Sequence, residues 1–185
     1  MSDGKKEILL GDCLELMKDI PNGSIDMILC DLPYGTTACK WDTIIPFDKL
    51  WEQYERIIKP NGAIVLTASQ PFTSALVMSK PKDEQWFKYP TNILNIAKDD
   101  KRDGTQHPTQ KPIELFEYLI KTYTNDNDLV LDNCAGSGTT AIACLNTNRQ
   151  FIVMEQEPNY FEKIKKRVAD FNKKFEMQTL FGNEM

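Results

Sequence analysis

The sequence holds a single histidine, His107, and its five cysteines (Cys13, Cys30, Cys39, Cys134 and Cys144) are an odd number with no C-x-x-C pair. Neither a zinc site nor a disulfide framework is indicated, no metal is expected, and the pattern suits reduced intracellular thiols. No apolar run approaches the roughly 18 to 20 residues that span a bilayer, and Met1 to Glu7 is polar, so a soluble, cytoplasmic protein with no membrane partner is expected. Positive charge is scarce as well. The formal net charge is −5, so any contact with a polyanion must come from local basic patches. No internal repeat or low-complexity block interrupts the 185 residues, a length suited to one domain with a real core.

What is present is an alternation of short apolar runs and amphipathic stretches. Strands are expected at Glu7 to Leu10, Ile25 to Cys30, Ala63 to Thr67, Tyr89 to Ala97, Leu129 to Leu131 and Phe151 to Met154. Helices are expected after Cys13, around Phe47 to Ile58, at Phe72 to Met78, Ile113 to Tyr123 and Thr139 to Leu145, and from near Pro158. Pro60-Asn61-Gly62 reads as the stop of the second helix, and Lys98 to Pro112 as loop. This order predicts an α/β fold: a doubly wound, mostly parallel sheet with helices on both faces, whose ligands sit beyond the carboxyl ends of the strands. The polar residues directly after strands, Asp12, Asp31, Asp132 to Thr140 and Glu155, are therefore the candidates for chemistry.

Asp132-Asn133-Cys134-Ala135-Gly136-Ser137-Gly138-Thr139-Thr140-Ala141 joins a strand to a helix and contains G-x-G-x-x-A. Glu155 ends the next strand 19 residues after Gly136, where nucleotide-binding folds place a ribose-binding acid. Glycines admit a ligand to the backbone, helix-start amides face anionic groups, and a carboxylate accepts from ribose hydroxyls. A tight turn with a surface glutamate is the bland alternative. Both NAD and S-adenosylmethionine suit this geometry. Only 44 residues follow Ala141, too few to complete such a sheet, so N-terminal strands must lie beside C-terminal ones, as in a circular permutation. The strand ending at Gly11-Asp12 is the natural continuation after Glu155. Asp12 then either meets the ligand's adenine amino group or caps the helix that follows.

Asp31-Leu32-Pro33-Tyr34 follows a buried strand and combines a carboxylate, a proline and an aromatic ring. Pro33 restricts Leu32 to extended backbone and so aims its carbonyl. The Asp31 carboxylate and the Leu32 carbonyl can then receive both hydrogens of one amino group, while Tyr34 stacks on the base that bears it. Two acceptors favour the localised lone pair that attacks a methyl sulfonium. A turn with a core tyrosine is the alternative for the tetrapeptide alone.

In Gly11-Asp12-Cys13, Asp31 to Thr37 with Trp41-Asp42, His107-Pro108-Thr109-Gln110-Lys111-Pro112, Asp132 to Thr140 and Glu155, the chain resembles the amino-directed DNA methyltransferases. The order, with the catalytic tetrapeptide before the cofactor loop, is that of their permuted β-type. The resemblance implies a Rossmann-like methyltransferase fold, S-adenosyl-L-methionine as cofactor, and DNA with a flipped adenine as substrate. It implies Asp31, Leu32, Pro33 and Tyr34 as catalytic residues. For the cofactor it implies Asp12, Cys13, Thr109, Gln110, Lys111, Asp132, Asn133, Ala135, Gly136, Ser137, Gly138, Thr139, Thr140 and Glu155. Family members usually carry Pro at position 32, whereas Leu32 keeps the carbonyl and loses rigidity. Aspartate at position 31 is usual for adenine N6 enzymes, and serine is commoner for cytosine N4 enzymes. Cytosine N4 methylation and a non-catalytic DNA- or cofactor-binding module are the rival readings.

Residues 1–185 are expected to form a single methyltransferase domain in which 79–106 is a reduced or incompletely represented target-recognition region. Six basic residues there (Lys80, Lys82, Lys88, Lys98, Lys101 and Arg102) nearly balance five acidic ones (Asp83, Glu84, Asp99, Asp100 and Asp103), the pattern of a solvated face. A second copy in a homodimer, or a separate recognition subunit, is a candidate source of sequence reading. The basic run Lys163, Lys165, Lys166, Arg167, Lys173 and Lys174 reads as a solvated helix face.

Overall fold

Apolar runs without polar alternation demand cover on both faces of the sheet they form. In the computed structural model, which describes residues 4–36, 42–79 and 111–181, the central strands are covered on both faces. Five parallel strands are described: β1 (Lys6–Leu10), β2 (Ile25–Asp31), β3 (Ile58–Thr67), β4 (Leu129–Asp132) and β5 (Gln150–Glu155), in the order β1-β5-β4-β2-β3. The helices are α1 (Cys13–Leu16), α2 (Phe47–Ile57), α3 (Phe72–Ser79), α4 (Ile113–Tyr123), α5 (Thr139–Asn146) and α6 (Pro158–Phe181).

Alternate residues of each strand point to opposite faces, and the core divides accordingly. Ile28, Cys30, Leu131, Ile152 and Met154 pack with Leu50, Tyr54 and Ile57 of α2 and with Phe72 and Leu76 of α3. Met27, Leu29, Val130, Phe151 and Val153 pack with Phe116 and Ile120 of α4, Ala141 and Cys144 of α5, and Ile164 of α6. On α2 the buried residues Leu50, Trp51, Tyr54 and Ile57 fall at helical spacing, which is why this stretch becomes a helix lying on the sheet. The chain has an α/β, Rossmann-like fold.

The strand ends are where the sequence reading needs correction. Pro60-Asn61-Gly62 does not separate α2 from the next strand. The strand starts directly at Ile58, and the partners jump from Ile25↔Ile58 to Met27↔Ala63, so the Pro-Asn-Gly triplet is absorbed in an irregularity of the ladder. The expected adjacency of the two chain ends is present: β1 pairs with β5 in parallel, with Leu10 opposite Glu155. The strand expected at Tyr89 to Ala97, the loop from Lys98 through Gln110, and Lys80 to Gln106 of the recognition region lie outside the described residues.

From β2 the chain moves by α2 to β3 on one side, whereas from β4 it moves by α5 to β5 on the other. The winding direction thus reverses between β4 and β2, and a crevice opens there beyond the carboxyl ends. Gly11-Asp12, Asp31, Thr67, Asp132 and Glu155 all stand on that edge.

Candidate active site

The turn after β4 is held from within. Asp132, 3% exposed, accepts the Cys134 amide at 3.0 Å and the Thr140 hydroxyl, so one carboxylate ties the start of the turn to the first turn of α5. Burial pushes its carboxyl up to about 6, against the pull of those two donors. The Ala135 amide donates to the Met154 carbonyl at 2.9 Å, and Tyr54 donates from α2 to the Asn133 side-chain oxygen at 2.6 Å. Arg167 of α6 donates to the Ser137 carbonyl at 2.5 Å, so this member of the basic run supports the turn instead of facing solvent.

The two glycines differ. Both have positive φ, 52° at Gly136 and 82° at Gly138. A Cβ at Gly138 would stand 3.0 Å from Ile164, so glycine is needed there for α6 to approach. A Cβ at Gly136 would meet nothing within 4 Å, so the backbone faces open space. Glu155 closes this half of the site: its Oε2 accepts the Gly136 amide and its Oε1 the Glu157 amide, each at 2.8 Å. Burial raises its carboxyl above the usual range. Asp12 caps α1, accepting from the Leu14 amide at 2.8 Å and the Glu15 amide at 3.3 Å. The Asn133 amide nitrogen lies 3.6 Å from the Cys13 sulfur and 3.5 Å from the Cys134 sulfur.

The other half of the site is organised around Asp31. Its Oδ1 accepts the Tyr34 hydroxyl at 2.7 Å and the Thr67 hydroxyl, and its Oδ2 accepts Lys111 Nζ at 2.5 Å. Burial, with the Asp31 carboxylate beside it, holds the Tyr34 phenol well above its usual range, so it stays a donor. One face of Tyr34 is backed by Phe72, ring centroids 5.0 Å apart. Leu32 is buried in the first core cluster, which fixes the segment from below. Gly35 (φ 67°) turns the chain, and the Gly35 and Thr36 amides both donate to the Asp42 carboxylate at 2.9 Å.

These halves enclose one cavity of about 500 Å³. Of the residues expected at a site, Asp12, Cys13, Asp31, Leu32, Pro33, Tyr34, Lys111, Asp132, Asn133, Ala135, Gly136, Ser137, Thr139 and Glu155 line it. Gly138 and Thr140 do not: the first packs on Ile164 and the second is spent on Asp132. Thr109 and Gln110 lie outside the described residues. Sequence reasoning gave no role to Asp42, Thr67, Phe116, Gln156 or Tyr160. Thr67 was within reach of it, being the polar end of a strand whose last register pair is Asp31↔Thr67.

The lining decides what charge the cavity favours. Asp12, Asp31, Asp42, Asp132 and Glu155 contribute five carboxylates, against Lys111 as the single lysine or arginine among the described lining residues. A bound cation is stabilised by such a wall, whereas a pyrophosphate is repelled by it. The first turn of α5, which opens at the cavity-lining Thr139, has no side-chain cap, which leaves one locus for a single carboxylate ligand.

Residues 68–166, more than half of the chain, match the N6/N4 family described as DNA methylase. Among curated relatives, the type II methyltransferase M2.MboI of Moraxella bovis is 27% identical, with 90% of this chain and 89% of that protein covered. The putative methylase YubD of Escherichia coli K12 is also 27% identical, covering 86% and 88%. Among solved structures, the M1.HpyAVI–SAM complex superposes with a TM-score of 0.66 at 27% identity, over 88% of this chain and 98% of that one. The cytosine-N4-specific PvuII DNA methyltransferase gives 0.69 at 17% identity, over 90% and 92%, a likeness of fold.

Proposed function

The chain belongs to the N6/N4 DNA methylase family and is a DNA methyltransferase, and we propose that it methylates the exocyclic N6 amino group of an adenine flipped out of DNA, using S-adenosyl-L-methionine. The observation that carries this reading is a cavity that joins the glycine-rich turn and Glu155 to Asp31 and Tyr34 and is lined, among the described residues, by five carboxylates and one lysine. The glycine-rich turn by itself suited NAD as well as S-adenosylmethionine, and the resemblance implied the latter; the negative wall likewise favours the sulfonium over the dinucleotide pyrophosphate.

The residues fit that cofactor. Open space over Gly136 admits it, the uncapped start of α5 suits its carboxylate, and Glu155 keeps lone pairs for ribose hydroxyls. When bound, it supplies an electrophilic methyl group on a cationic sulfur and leaves as the neutral thioether. Asp31 and the Leu32 carbonyl receive the two amine hydrogens, which localises the nitrogen lone pair toward the methyl carbon. Tyr34, backed by Phe72, carries the base plane. The N–C bond forms as C–S breaks, and the proton lost from nitrogen passes toward Asp31, whose side chain is 27% exposed, and on to solvent. Flipping is required because a stacked base cannot bring its amine in line with the methyl group.

The permuted order, tetrapeptide before cofactor loop, supports reading the enzyme as β-type. The chain is read as a single domain whose target selection draws on a second copy or a separate subunit. In support, the alignment with M2.MboI runs over 244 residues against 185 in this chain, so that relative carries segments with no counterpart here. Adenine is favoured by the aspartate at position 31. The test is to methylate DNA with labelled cofactor, digest it to nucleosides and separate them. N6-methyladenine is expected; N4-methylcytosine alone overturns the target, and absence of transfer overturns the enzyme.

A further inference from the structure

Both carboxylate oxygens of Asp31 hold donors before any substrate arrives. Its Oδ1 holds the Tyr34 and Thr67 hydroxyls, and its Oδ2 holds Lys111 Nζ at 2.5 Å. The same ammonium lies 5.9 Å from the Tyr34 ring centroid, at the edge of cation–π reach. A base amine stacked on Tyr34 and hydrogen-bonded to Asp31 needs the same two partners, a carboxylate oxygen and the space over that ring.

We infer that the Lys111 ammonium is a placeholder for the target amine: it occupies Asp31 Oδ2 in the free enzyme and is exchanged for the base amino group when the nucleotide enters. This rests on reading Asp31 as the acceptor of that amine. Lys111 suits exchange because it sits in the segment leading into α4, is 29% exposed, and has a flexible stem with freely rotating donors. The pair also explains how a half-buried carboxylate is kept compensated while the cavity lacks a base, since an unpaired charge there is costly. Lys111 is thereby a positioning residue that competes with substrate, a role distinct from contact with the cofactor.

The test compares binding to two duplexes that differ only at the methylated position, one with the natural base and one with the same ring lacking the amino group. Wild type, Lys111→Met and Lys111→Gln are measured in parallel. Loss of one positive charge weakens both duplexes alike and cancels in the ratio. The preference for the amino-bearing duplex is expected to rise about threefold to tenfold in both variants, with S-adenosylmethionine affinity changed by less than about twofold. An unchanged or smaller preference overturns the exchange. A cofactor affinity lowered about tenfold with the preference unchanged overturns it too, and makes Lys111 a cofactor ligand. A wild type that transfers no methyl group to any DNA contradicts the methyltransferase reading itself, and this inference falls with it.

Discussion

Asp132 and Asp31 end neighbouring strands, β4 and β2, and both point at one cavity, yet they are held in opposite ways. Asp132 is 3% exposed and takes its donors from the turn it begins, the Cys134 amide two residues on and the Thr140 hydroxyl eight residues on. Asp31 takes side-chain donors only, from Tyr34, Thr67 and Lys111, the last two 36 and 80 residues away. Bonds closed within one turn make a cradle that exists before any ligand. Bonds from separate elements make an acceptor whose partners can change. The contrast teaches that one carboxylate builds the site and the other works in it.

The largest expected break of that contrast concerns pH. The Asp132 carboxyl is raised to about 6 from an ordinary 3.8, so the folded state binds its proton more tightly than the unfolded chain. Its stabilising contribution is therefore full below about pH 4 and is lost as pH rises through about 6. Urea unfolding of wild type and Asp132→Asn between pH 4 and 7 is expected to differ in slope, with wild type losing about 2 kcal/mol more than the variant. Parallel curves would place Asp132 outside the buried frame. Next come the two glycines. Gly138→Ala is expected to cost about 2 kcal/mol of stability through its φ and the 3.0 Å approach to Ile164. Gly136→Ala is expected to cost only about 1 kcal/mol of stability while weakening cofactor binding roughly tenfold by calorimetry. Equal effects of the two on both readouts would erase the division between frame and ligand side.

The smallest effect belongs to Thr67. Thr67→Val removes one of three donors on Asp31 and is expected to lower the methylation rate about fivefold, equivalent to about 1 kcal/mol, with cofactor affinity unchanged. A cofactor affinity that falls with the rate would show that Thr67 serves the whole cavity instead of Asp31 alone.

Much of this was legible in the chain because two codes were local. Continuous apolar runs such as Ile25 to Cys30 reported strands buried on both faces, and a polar residue straight after each run reported the ligand edge. The pairing of β1 with β5 sets Leu10 beside Glu155, so the polar residues after both strands meet on one edge. What stayed hidden depended on register and distance. That Thr67 faces Asp31 is fixed by strand pairing, and that Lys111 reaches Asp31 instead of solvent is fixed by where α4 docks. Gly136 and Gly138 look alike in sequence, and only the position of Ile164, 26 residues beyond Gly138, separates their uses. Asp42 was visible as part of a matched stretch, but its work, holding two amides behind Tyr34, needed the turn at Gly35 to be seen.

The division between a cofactor cradle and a separate amine acceptor is tested most directly by Asp31→Ala, assayed in parallel for binding of S-adenosylmethionine by calorimetry and for transfer of its labelled methyl group to DNA. The expected result is a cofactor affinity within about twofold of wild type and a transfer rate lowered by roughly 10²-fold to 10³-fold or more. Transfer that survives within about tenfold of wild type, or cofactor binding lost together with transfer, would contradict the account.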